Sequence, residues 1–176
     1  MPDPAARQDA RYECVAADYG AALERLARAY EADPDRRRDL LQEIHVALWR
    51  SLQAFDERCS LRTWVYRVAH NVATSQILRR RTNAPTLVTL DELAVTVAEN
   101  DAEGALDRRM ALERLAALIR TLKPLDRQMI LLYLEDLDAA SIAEIVGLSP
   151  GNVATKIHRI KQILARRFRE GARHGA

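Results

Sequence analysis

Aromatic residues make up only 5% of this 176-residue chain, and cysteine, glycine and proline are scarce at 2, 6 and 6. Cys14 and Cys59 have no C-x-x-C spacing, which excludes a zinc ribbon or a disulfide framework and leaves them as core or incidental thiols. No apolar run reaches the roughly 18 residues of a membrane span. The opening Met1-Pro2-Asp3-Pro4 lacks the basic and then apolar pattern of a secretory leader, so a cytoplasmic protein without membrane insertion is expected. A glycine-rich phosphate loop is missing, and His45, His70, His158 and His174 share no ligand spacing. Neither a catalytic site, a metal site nor a cofactor is therefore expected.

What the chain does have is charge, 30% of its residues, arranged in blocks whose signs cancel to a net +2. Residues 82–107 carry Asp91, Glu92, Glu99, Asp101, Glu103 and Asp107 and no base. From residue 149 onward Lys156, Arg159, Lys161, Arg166, Arg167, Arg169 and Arg173 face Glu170 alone, seven bases against one acid. A second basic run, Arg79-Arg80-Arg81, precedes the acidic stretch. An acidic middle between two basic segments points to nucleic acid as a partner.

Apolar residues recur at three and four, which predicts an all-α fold. Leu23, Leu26 and Tyr30 form one stripe, Leu41, Ile44, Leu48 and Leu52 a second, and Leu61, Val65, Val68 and Val72 a third. Pro34 separates the first from the second, with Asp35 or a neighbour as cap, and Phe55-Asp56-Glu57-Arg58 separates the second from the third. The period then lapses, with a weak strand propensity at Thr86–Leu90. It returns in Leu112, Leu115, Ile119 and Leu122 and, after Pro124, in Ile130, Leu131 and Leu134. This predicts two small helical bundles, residues 11–81 and 108–170, joined by a flexible acidic linker over 82–107.

The segment Ser141–Val153 has the punctuation of a helix-turn-helix: a short apolar helix, Gly147 for the turn, Ser149 as cap and Pro150 at the first helical position. In the helix that follows, Val153, Ile157, Ile160, Leu164 and Phe168 share a stripe, so Asn152, Thr155, Lys156, Arg159, Gln162 and Arg166 are expected opposite it. Such side chains read base edges and phosphates, although a plain solvated face would also carry them. Further along, Arg166, Arg167 and Arg169 are expected to meet phosphates or a protein partner. From Ser60 to Arg81, Trp64 and Tyr66 alternate with Arg62, Arg67, His70 and Asn71, a pattern that suits unstacked single strands. For Trp64 a core role is an equal alternative, because it adjoins Val65 and Val68.

Three blocks in order, Asp39–Leu52, Ser60–Arg81 and Leu122–Leu164, resemble the extracytoplasmic-function sigma factors of bacterial RNA polymerase. The resemblance rests on Gln42-Glu43 and Leu48-Trp49, on Arg62-Thr63-Trp64 through Ala69 and Asn71, and on Gly147-Leu148-Ser149 with Val153, Lys156 and Arg159. It implies that Asp39, Gln42, Glu43 and Trp49 bind the clamp helices of core polymerase. It implies that Phe55, Asp56, Arg58, Ser60, Arg62, Trp64, Arg67, Asn71, Arg79 and Arg80 recognise and melt the minus-ten element. Ser149, Asn152, Thr155, Lys156 and Arg159 would read the upstream element while the C-terminal bundle binds the polymerase flap. Any regulator would be a separate anti-sigma protein. Ser75 and Ser141 depart from the family's usual Asp and Glu. The alternative class is a helix-turn-helix regulator whose N-terminal bundle senses or dimerises.

Overall fold

A computed structural model describes residues 4–83 and 105–173, and among them the chain forms seven α-helices and no strand. They are α1 (Pro4–Tyr30), α2 (Pro34–Ser51), α3 (Leu61–Asn83), α4 (Ala105–Arg120), α5 (Pro124–Leu134), α6 (Ala139–Val146) and α7 (Pro150–Arg173), with a single 3-10 turn at Leu52–Ala54. The first three pack as one bundle and the last four as another, the two-bundle all-α architecture expected. The central part of the acidic stretch, including Thr86–Leu90, lies outside the described residues. Among the described residues, no helix is long and apolar enough to cross a membrane.

Helix ends follow local chemistry. Asp33, rather than Asp35, caps α2: its carboxylate accepts from the backbone N–H groups of Asp35 and Arg36 at 3.0 and 2.9 Å, ahead of Pro34. The N–H of Arg36 above all holds the Asp33 carboxyl below its ordinary range. Asp138 caps α6 through the Ser141 N–H at 2.7 Å. The orphan carbonyls at the end of α1 are met by two arginines: Arg37 donates to Glu31 and Ala32, and Arg120, from the other bundle, donates to Arg28 at 2.9 Å. At its start, α1 begins at Pro4, ahead of the boundary expected at residue 11, because Gln8 is buried and donates to the Trp49 carbonyl at 2.7 Å.

In the N-terminal core, Leu23, Leu26 and Tyr30 meet Leu40, Ile44, Leu48 and Leu52. Leu40 takes the innermost place that the stripe assigns to Leu41, which is half-buried. On α3 the buried line is Val65, Tyr66, Ala69, His70 and Ala73, so the expected Leu61, Val68 and Val72 lie at its margin. The cause is two-sided packing, since α3 meets α1 and α2 on one side and α5 and α6 on the other. In the C-terminal core Ile119, Met129, Ile130, Leu132, Ile142, Val153, Ile157 and Ile160 are buried. Leu112 and Leu134 keep the predicted spacing, yet both are exposed because nothing among the described residues covers them.

Two helix ends, besides Glu57 in the loop before α3 (φ 63°), take left-handed backbone. Gly147, φ 73°, ends α6 and places Leu148 to donate back to the Ala143 carbonyl, the corner of the helix-turn-helix. Asp136, φ 58°, ends α5 in the same way, with Leu137 donating to Leu132. Because an L side chain strains that conformation, Asp136→Gly should raise stability by about 0.5–1 kcal/mol, read as a higher urea midpoint. A lower midpoint would mean that the aspartate side chain itself holds the turn.

Candidate polymerase and nucleic-acid interfaces

The exposed face of α2 carries the first surface. Asp39, Gln42, Glu43, Val46, Ala47 and Arg50 line a groove of about 510 Å³ that Val72 and Arg79 of α3 close. Beside it, Val46 is 42% and Trp49 38% exposed, and the Trp49 indole donates to Asp9 at 2.9 Å. Charged groups flank an apolar floor, the composition of a protein-docking surface. Three of the predicted residues, Asp39, Gln42 and Glu43, therefore share one groove, and Trp49 sits next to it.

A second surface starts at the loop 55–60. The Phe55 ring tilts against Trp64 with 5.4 Å between centroids, and the Arg11 guanidinium lies 6.0 Å from its centre. Asp56 and Arg58 pair with each other, and Arg58 above all lowers the Asp56 carboxyl below its usual range. Ser60 caps α3, its Oγ accepting from the Thr63 N–H at 3.0 Å. Trp64 is part of the core margin and donates to the Ser51 hydroxyl at 3.1 Å, the core role that the sequence left open. Tyr66 and His70 are not on the polar face at all, since both are buried. Burial raises the Tyr66 hydroxyl far above its ordinary value and pushes His70 down to about 3. Asn71 is exposed, Arg79 donates to the Ser75 carbonyl, and Arg80 pairs with Glu31.

Two predicted residues of this surface are engaged by the other bundle. Arg62 donates to the backbone carbonyl of Glu135, and Arg67 pairs with the Glu144 carboxylate at 3.0 Å. Glu135 lay outside the residues that sequence pattern singled out. It is only 18% exposed and accepts two bonds from Arg25, both 2.7 Å, and one from the Tyr66 hydroxyl at 3.2 Å.

The third surface is the outer side of α7. Val153, Ile157, Ile160 and Leu164 face inward, and Asn152, Thr155, His158, Arg159, Gln162 and Arg166 are exposed. Lys156 departs from the expected placement: it is half-buried on the flank, 3.9 Å from Asp126 of α5, because helical spacing sets it only a quarter turn from the buried stripe. His158, which the sequence pattern set aside as lacking metal-ligand spacing, stands on the outer face with its Nε2 2.9 Å from the Gln162 amide. Ser149 precedes the helix and receives the Asn152 N–H at 3.4 Å. Arg167 donates to the Thr121 hydroxyl at 2.9 Å.

Two helical units with a docking groove, an α3 face and a helix-turn-helix correspond to known families. Residues 15–83 match the family described as Sigma-70 region 2, and residues 112–164 match Sigma-70, region 4. The chain is thus of the sigma-factor class, a class of initiation factors and not of catalysts. It is 30% identical over 162 residues to the RNA polymerase sigma factor CnrH of Cupriavidus metallidurans, covering 86% of this chain and 83% of that protein. To the ECF RNA polymerase sigma factor SigW of Bacillus subtilis it is 25% identical over 163 residues, covering 86% and 83%. The chain belongs to the extracytoplasmic-function sigma factors and directs transcription initiation by core RNA polymerase at promoter DNA. Its fold is shared with CnrH in complex with the cytosolic domain of CnrY, at a TM-score of 0.67, 22% identity and 95% and 96% coverage. It is also shared with the sigma factor RpoE of Bartonella quintana in complex with the anti-sigma factor NepR, at a TM-score of 0.68, 18% identity and 89% and 95% coverage.

Proposed function

We propose that the groove on α2 docks the clamp helices of core polymerase, that the loop 55–60 and α3 take the minus-ten strand, and that the outer side of α7 reads the upstream element. The observation that carries this assignment is the gathering of Asp39, Gln42 and Glu43 around an apolar groove beside exposed Trp49. In functional terms the units are residues 11–81 and 108–170, extended at the front to the start of α1, with the acidic stretch 82–107 as tether. The C-terminal unit also binds the flap. The protein acts in the cytoplasm, without catalysis, and its regulator is a separate anti-sigma protein. A match to Sigma-70 region 2 over residues 15–83 sets aside a sensing or dimerising N-terminal bundle.

Glu43 is exposed on the groove, so Glu43→Lys should leave helicity unchanged and weaken binding to core polymerase severalfold. A titration of labelled variant with core enzyme reads this. Unchanged affinity with a normal circular dichroism spectrum would place the clamp elsewhere.

The loop 55–60 and α3 offer the minus-ten strand Asp56, Arg58, Ser60, Arg62, Arg67 and Asn71 around the Phe55–Trp64 pair, with Arg79 and Arg80 further along the helix. Extruding a base costs a few kcal/mol, so the ring pair has to supply a surface as well as charge. Changing Asp56, Arg58 and Ser60 together to alanine should abolish permanganate reactivity of the bubble while upstream protection persists. An intact bubble would remove the loop from the melting site.

A further inference from the structure

The start of α1 is tied to the end of α2 and to the loop that follows it. Gln8 is buried, and its amide bridges two partners, donating to the Trp49 carbonyl at 2.7 Å and accepting from the Gln53 amide in the 3-10 turn. Asp9 accepts from the Trp49 indole at 2.9 Å, which fixes the same helical turn a second time. Both ends of the Gln8 amide are satisfied, so its burial costs little, whereas removing it strands the groups it serves. Three residues on, and so on the same side of the helix, Arg11 reaches the loop 55–60. Its guanidinium lies 6.0 Å from the centre of the Phe55 ring and 3.6 Å from the Glu57 carboxylate. Glu57 sits at φ 63°, where an L side chain is strained and the conformation lasts only if surrounding contacts determine it. Within the loop Asp56 pairs with Arg58, and Ser60 and Trp64 secure its ends; Arg11 adds a hold from a different element. Gln8 and Arg11 both precede residue 15, where the match to Sigma-70 region 2 begins.

We propose that the start of α1 positions the minus-ten loop: Gln8 docks the helix on the end of α2, and Arg11, carried on the docked turn, holds Phe55 and Glu57 in the conformation that receives the strand. The proposal rests on the minus-ten assignment to this loop. An exposed ion pair and a cation beside a ring add little to fold stability, because water screens them. Their effect falls on the loop instead. A strand that binds one loop conformation finds its apparent affinity lowered by the fraction of time the loop spends in others. Arg11 is thus a positioning residue, acting through Phe55 and Glu57 rather than by touching the strand, and its effect depends on Gln8 keeping α1 in place.

The test compares holoenzymes formed with the wild-type chain, Arg11→Ala, Gln8→Met and the double variant, on a promoter fragment selected by the wild-type holoenzyme from a randomised duplex library. Methionine keeps the volume of Gln8 and removes its amide. Each single variant should bind core polymerase normally and protect the upstream element, yet give about fivefold less permanganate reactivity in the bubble. Because the two residues act in one chain of contacts, the double variant should be no worse than either single one, and additive losses would overturn the proposal. In the free chain, cleavage after Glu57 by a glutamate-specific protease should accelerate by a similar factor in Arg11→Ala, with its thermal midpoint unchanged. Arg11 is exposed, so this variant folds whatever Gln8→Met does, and an unchanged cleavage rate would overturn the proposal. A bubble lost with Arg11→Ala but intact with Gln8→Met would make Arg11 a direct strand contact and overturn it too. Alanine at Asp56, Arg58 and Ser60 separates the two readings. If that holoenzyme kept its bubble, the minus-ten assignment would fall and the positioning role with it, whereas a bubble lost there and kept in Arg11→Ala would remove the positioning role alone.

Discussion

Lowering the pH from about 7.5 to about 5 should cost the fold about 2 kcal/mol through His70 alone. This ring is fully buried on α3, its Nδ1 hydrogen-bonded to the Tyr30 hydroxyl at 2.9 Å and its Nε2 without a partner among the described residues. Burial holds it neutral, with the pKa pushed from the ordinary 6.5 down to about 3. A base whose pKa is depressed in the folded state binds fewer protons there than in the unfolded chain. Stability is therefore complete above about 6.5 and declines toward 3 by at most about 1.4 kcal/mol per pH unit. His45 contributes with the same sign, its pKa lowered by burial, but it is less enclosed and bonded to Tyr12. The capping carboxylates Asp33 and Asp138, both lowered by backbone N–H groups, lose their contribution only in more acid solution, below the carboxylate range. Urea titrations between pH 7.5 and 5 on the wild type and His70→Asn separate these effects. Asn keeps an acceptor near Tyr30, so the variant should be weaker at neutral pH and should lose most of the slope. An undiminished slope would assign the acid sensitivity to other groups.

Helical periodicity made most of this fold legible, because an all-α chain states its buried faces in its spacing. Pro34, Pro124, Gly147 and Pro150 mark element ends at the places where the structure has them. What spacing did not reveal depends on contacts distant in sequence. Leu40 displaces Leu41, and Tyr66 and His70 enter the core, because α3 is packed on two sides and its buried arc is wider than one stripe. Which acid beside Pro34 caps α2 was open in the sequence; it is Asp33, since the residue just ahead of Pro34 is the one whose extended backbone aims its carboxylate at the free N–H groups. Glu135 could not have been found from its neighbours, as all its side-chain partners come from α1 and α3. The sites show the same division. Gln42 and Glu43 and the outer face of α7 follow from local pattern, whereas the engagement of Arg62 and Arg67 and the tie of Lys156 to Asp126 appear only in three dimensions.

That last tie sharpens what each side chain of α7 should do at a promoter. Replacing Arg159 with alanine should cost holoenzyme about 1–3 kcal/mol at its preferred upstream element and relax selectivity there. Arg159 is exposed nearly three turns into the helix after the Ser149 cap, on the same face as Asn152 and Thr155, which a recognition helix turns toward the groove. Lys156 is less free to read bases, because reaching the groove means leaving Asp126. Lys156→Ala should therefore have the smaller effect on selectivity, and Asp126→Ala should tighten binding to all sequences slightly by releasing the lysine. Arg166 lies two turns beyond Arg159 with only a long 4.0 Å pairing to Glu170. At that distance along the helix it is expected to meet phosphates, so Arg166→Ala should weaken every sequence alike and lower the salt slope by roughly one unit. Holoenzyme binding to a panel of upstream-element variants at two salt concentrations measures both quantities together. If Arg159→Ala weakened all members of the panel equally while Lys156→Ala changed their ranking, α7 would be docked with its Asp126 flank toward the bases, a rotation of about a sixth of a turn from the register argued for Arg159.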